Sequence, residues 1–127
     1  MFVSASAAPA TQDLAREKRA RTPAQRKIDS QLLYALYRRR GEAEARGVPT
    51  ENLRVKFDEK GRAIVSIRAR VTRSLLARIK RLGGEVISSS EEYKDIQAHM
   101  PLEKLEELAA LKDVSAIMPA DEAMTNK

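Results

Sequence analysis

The spacing of apolar residues changes character several times along this chain. Up to residue 22 there is no spacing to follow: Met1–Ala10 is rich in small residues, and the stretch after it is polar and basic. A segment with no apolar face has little to bury, so residues 1–21 are read as a flexible basic arm. At Thr22-Pro23 an N-cap residue precedes a proline at the first helical position, where the missing N–H costs nothing. Ile28, Leu32, Leu33, Leu36 and Tyr37 then recur at helical spacing until Gly41 or Gly47, which predicts an N-terminal helix within residues 22–47.

Beyond a linker at Val48-Pro49-Thr50 the period falls to two. Leu53, Val55 and Phe57 alternate with polar residues, and Asp58-Glu59-Lys60-Gly61 makes a turn. Ala63, Val65, Ile67, Ala69 and Val71 then alternate with Ile64, Ser66, Arg68 and Arg70, the pattern of a strand buried on one face and hairpin-paired to residues 53–57. Thr72 caps a helix whose stripe is Leu75, Leu76, Ile79 and Leu82, and Gly83-Gly84 stops it. Val86-Ile87 begins a short strand that breaks at a Ser88–Glu92 turn. Tyr93 to Met100 is the next strand, with Ile96, Ala98 and Met100 on one side and Asp95, Gln97 and His99 on the other. Pro101 opens a helix carrying Leu102, Leu105, Leu108 and Leu111; Val114–Met118 is the last strand, and residues 120–127 form an extended tail.

From residue 62 the order is strand, helix, strand, strand, helix, strand. Two right-handed crossovers around a hairpin predict an α+β, ferredoxin-like split βαβ domain (βαββαβ) over residues 52–119, its antiparallel sheet backed by two helices on one face. The opposite face stays open and carries Ser66, Arg68, Asp95, Gln97 and His99, the composition of a docking platform.

Charge adds a polarity to this picture. Residues 1–84 hold 20 Lys/Arg against 8 Asp/Glu, a balance of +12, whereas residues 85–127 hold 4 against 10, a balance of −6. A basic front suits phosphate, but an acidic back suits docking on another protein at least as well. The chain has no Cys and a single His, so Cys nucleophiles and Cys- or His-clustered metal sites have no ligands to draw on. No phosphate-loop glycine motif is present, and no aromatic pair stands on the central strands to stack bases. The reading is a binding module, not an enzyme, with no cofactor or metal, no membrane partner and no nucleic acid as its principal ligand.

The stretch from Val65 to Pro119 resembles the prodomain, or propeptide inhibitor, of the subtilisin-like serine proteases. The resemblance is carried by Val71-Thr-Arg-Ser-Leu75-Leu76 leading into Leu82-Gly83-Gly84-Glu-Val86, by Tyr93-Lys-Asp-Ile96-Gln-Ala98-His-Met100-Pro101, and by Val114-Ser-Ala-Ile117-Met-Pro119. The upstream Lys27-Ile28-Asp29-Ser30 segment is similar to the lead-in of some bacterial members. The resemblance implies an inhibitory and folding-chaperone role. The open face, through Ser66, Arg68, Asp95, Gln97 and His99, would lie on two surface helices of the protease, with Asp121 and Glu122 capping them. The tail Ala123, Met124, Thr125, Asn126 and Lys127 would fill the substrate cleft by strand addition. Asp121 and Glu122 arrive later after the last strand than the family's acids do, because Met118-Pro119-Ala120 intervenes. The expected partner is a subtilisin-like protease domain, in cis or in trans. The expected setting is secreted or periplasmic, in a bacterium, consistent with a small-residue start of the kind that signal-peptide cleavage leaves. The alternatives are a free-standing inhibitor of the same fold acting in trans, and a basic nucleic-acid-associated adaptor using its N-terminal arm.

Overall fold

The computed structural model describes residues 10–120, and the side chains of residues 14–120. Four short helices come first: α1 (Ala10–Arg19), α2 (Pro23–Arg26), α3 (Ser30–Arg39) and α4 (Ala43–Arg46). The rest alternates strands and helices: β1 (Ala63–Ala69), α5 (Arg73–Arg81), β2 (Glu85–Ser90), β3 (Asp95–Met100), a 3₁₀ turn at Leu102–Lys104 running into α6 (Leu105–Ala109), and β4 (Val114–Pro119). The protein is therefore α+β. Its four strands form one sheet in the order β2-β3-β1-β4 with every neighbouring pair antiparallel, which is compatible with the ferredoxin-like order expected from the sequence.

The alternation along β1 does what it predicts. Val65 and Ile67 are fully buried, as are Ile96, Ala98 and Met100 on β3, and all point into one core with Leu75 and Ile79 of α5 and Leu105 and Leu108 of α6. Thr72 caps α5 by accepting the Leu75 N–H at 3.0 Å. The helix ends in a Schellman turn: Gly83 takes φ +93° and its N–H donates to Lys80, while the Gly84 N–H donates to Ile79. Gly84 is also a close-packing point. A Cβ there would meet Met100 Sδ, Ile79 Cγ2 at 2.9 Å and the His99 carbonyl at 3.0 Å.

The front of the chain departs from the sequence expectation in three places. Residues 10–19 of the supposed flexible arm are helical, and Glu17 is buried against the core. Arg21 donates two bonds to its carboxylate at 2.9 Å each and the Tyr37 hydroxyl donates a third at 3.0 Å, so an ion pair does the anchoring that apolar residues do elsewhere. The single helix expected within 22–47 is three. The break falls at Lys27–Asp29, where Ile28 forms a parallel bridge to Ile117: the Ile117 N–H donates to Lys27 and the Asp29 N–H to Ile117, both at 2.8 Å. Asp29 then caps α3, whose six residues Leu32–Tyr37 are all buried. Gln25 and Arg40 hold this layer onto α6 by bonds to Glu106 at 2.6 and 2.9 Å. Residues 53–57 do not form the expected hairpin strand. They are joined to β1 by a single antiparallel bridge between Phe57 and Ala63, in which the Ile64 N–H donates to the Lys56 carbonyl at 2.9 Å.

Candidate functional site

Because β1 and β3 pair in register, alternation places Ser66, Gln97 and Asp95 together on the face away from the core. The Ser66 hydroxyl donates to Asp95 Oδ1 at 2.7 Å, and Gln97 Nε2 donates to Asp95 Oδ2 at 2.7 Å and to the Ser66 oxygen at 3.1 Å. This closed triangle leaves Ser66 nearly buried by its own neighbours, while Asp95 and Gln97 stay half-exposed. A network that satisfies its own donors and acceptors holds its side chains in one arrangement, so the face is stiff and polar before anything binds.

His99 does not join the triangle. Its Nδ1 lies 2.9 Å from Asp58 Oδ2, at the corner where the 58–62 turn folds onto the sheet. Asp58 accepts bonds from the backbone N–H groups of Lys60 and Arg62 and from Arg62 Nε at 2.8 Å, and Arg62 reaches on to Glu85 at 2.9 Å. Desolvation raises the Asp58 carboxyl, but the bonds from Arg62, His99 and Lys60 outweigh it and hold the group well below the usual carboxylate range. The sequence did not flag Asp58 or Arg62, although their spacing across a four-residue turn is a readable sign of an ion pair.

Arg68, the fifth open-face residue, is exposed and lies at the opposite end of β1. There it lines a cleft of about 520 Å³ with Arg70, Tyr93, Lys94, Lys112 and Asp113. Three chain segments converge on it: the end of β1, the β2–β3 turn and the connection into β4. Alternation already puts Arg68 and Arg70 on one side of the chain; Lys94 and Lys112 join them only through strand pairing. Tyr93 is 74% exposed, and Lys94 holds a left-handed φ of +54°, unusual for a side chain other than glycine or asparagine. Its carbonyl accepts the Ala69 N–H at 2.9 Å, which fixes the turn against β1.

Of the other expected site residues, Asp121, Glu122, Ala123, Met124, Thr125, Asn126 and Lys127 lie outside the described residues. Among the described residues no helix is long and apolar enough to cross a membrane, and no three His, Asp or Glu side chains come together as a metal-holding group. No protein-family model, curated protein or solved structure matches this chain.

Proposed function

We propose that this chain is the inhibitory and folding-chaperone prodomain of a subtilisin-like serine protease, docking by the open sheet face and entering the active-site cleft with Ala123–Lys127. The observation that carries the reading is the hydrogen-bonded polar patch of Ser66, Asp95 and Gln97 on a four-stranded sheet whose strand order suits the ferredoxin-like fold of such prodomains. A polar face with its bonds already closed loses little side-chain freedom on docking, and the partner has only to match its shape and its remaining acceptors. The run of residues from Val65 to Pro119 that resembles the family is the run that builds this sheet. On this reading the chain acts where the protease matures, outside the bacterial cytoplasm.

The docking face and the role of the tail are separable. A photo-crosslinker placed at Arg68, on the open face, should capture a subtilisin-like protease. The same group at Arg78, exposed on α5, should not. Equal capture at both positions would refute docking by the sheet. Steady-state kinetics against a panel of subtilisin-like proteases should show competitive inhibition, with slow cleavage at or after the tail seen by mass spectrometry.

A further inference from the structure

The sequence gives no reason to expect a nucleic-acid site on the sheet, because its central strands carry no aromatic pair. The end of β1 instead carries a cationic cleft beside an exposed aromatic ring. The cleft at the end of β1 gathers four cations, Arg68, Arg70, Lys94 and Lys112, against one lining acid, Asp113. Some arginines elsewhere are engaged, Arg21 with Glu17, Arg40 with Glu106, Arg46 with Glu42 and Arg62 with Asp58. Others, such as Arg78 and Arg81 on α5, are exposed without an ion pair among the described residues but line no cleft with an aromatic ring. Among the described residues none of the four cleft cations forms an ion pair, and all four are exposed. Glu91 and Glu92 sit in the same turn as Tyr93 but are not part of the lining. Four like charges around one concavity repel each other, a cost that a bound anion relieves.

The aromatic ring decides which anion. Tyr93 is the most exposed large hydrophobic side chain among the described residues and lines the cleft beside the cations. A carboxylate-bearing peptide would use the charges and leave the ring idle. A nucleotide uses both, since its phosphate takes the cations and its base has a π-face for the ring. The cleft's volume of about 520 Å³ is also in the range of small-molecule sites. Lys94 strengthens the case because a left-handed backbone is cheaper for glycine, yet a cation stands there. We propose that this cleft binds single-stranded nucleic acid, with a base stacked on Tyr93 and the adjoining phosphates held by Arg68, Arg70, Lys94 and Lys112. The proposal shares Arg68 with the protease-docking face but rests on the cleft and not on that reading, which its failure would leave intact.

The test is fluorescence anisotropy of the full chain with a labelled oligothymidylate of about ten nucleotides. Three to four phosphate contacts predict a log–log salt slope of about −2 to −3, so that raising salt from about 50 to about 200 mM weakens binding roughly 20- to 50-fold. Arg68→Ala with Arg70→Ala should reduce that slope by about 1.4, at roughly 0.7 per contact. Tyr93→Ala should weaken binding about ten-fold with the slope unchanged, as loss of one stacked base requires. Lys94→Gly separates ligand from fold: the melting temperature should hold or rise while affinity and slope fall. Arg78→Ala with Arg81→Ala, on exposed α5 positions, should change affinity by no more than about two-fold, since no contact is lost there. Any of four results overturns the proposal: no binding at low salt, no effect of Tyr93→Ala, an equal loss from the α5 pair, or equal affinity for a polyglutamate peptide of the same length. The last would identify a carboxylate-bearing protein partner instead.

Discussion

Replacing Glu17 by alanine tests whether the N-terminal helices belong to the same folded unit as the sheet. The Glu17 side chain is 1% exposed and its partner Arg21 10% exposed. The substitution removes the acceptor of two guanidinium bonds and of the Tyr37 hydroxyl, leaving a cation and a buried phenol without it. Stripping one partner from a buried pair costs about 3–5 kcal/mol, against a total stability of about 5–15 kcal/mol for an ordinary domain. For a chain of this length that is a fall in melting temperature of about 10–20 °C. Urea unfolding followed by circular dichroism gives the value directly, and a double-mutant cycle with Arg21→Ala isolates the pair. The acid side supplies a second check. Burial raises the Glu17 carboxyl, but the bonds from Arg21 and Tyr37 outweigh it, so its folded value lies below the ordinary 4.5. A depressed acid contributes stability that is present above its unfolded value and is lost as pH falls through the folded one. Wild type should therefore lose stability below about pH 4.5, and Glu17→Ala should lose less over that range. A change of under about 1 kcal/mol, with the same acid profile as wild type, would mean that residues 10–21 are a loose arm after all.

Other substitutions probe single features. Gly84→Ala should destabilise by about 1–3 kcal/mol, because the new Cβ must displace Ile79, Met100 or the His99 backbone; unchanged urea unfolding would contradict that packing. Thr72→Ala should cost about 1 kcal/mol by uncapping α5, and Thr72→Ser should restore most of it. Asp58→Ala should speed amide exchange at Lys60 and Arg62, whose N–H groups it accepts, and flatten the acid-side loss of stability, since its depressed carboxyl no longer titrates.

How far the fold was readable depends on whether the deciding contacts are local. The period-two face of β1, the Thr72 cap and the Gly83-Gly84 stop are set by neighbours in sequence, and each appears where the pattern puts it. The helix over residues 10–19 shows little apolar signal, Leu14 being its one large apolar residue on the core, because its buried anchor is a charged residue, Glu17, paired inside the protein. The break before α3 depends on Ile117, far along the chain, although Asp29, an N-cap residue type beside Ile28, is a local sign of a new helix start. Ser88 and Ser89 read as a turn, but pairing with Gln97 and Ile96 draws them into β2 as an exposed edge. That Ser66, Asp95 and Gln97 share a face was legible from alternation, but their hydrogen-bonded triangle was not, and His99 was drawn away by Asp58, a residue in the 58–62 turn. The basic cleft was half legible: Arg68 and Arg70 share a side of one strand, but Tyr93, Lys94 and Lys112 reach it only through tertiary pairing.

The central claim is that the sheet docks on a protease while the tail blocks its cleft, and deleting Ala123–Lys127 tests it most directly. Inhibition of subtilisin-like proteases would be measured with a chromogenic peptide, and binding would be measured separately by surface plasmon resonance on enzymes whose catalytic serine is replaced. The full chain should inhibit competitively, and the shortened chain should still bind the inactivated enzyme while no longer competing with substrate. If the shortened chain inhibits as well as the full one, or if the full chain neither binds nor inhibits any protease of this class, the account is wrong.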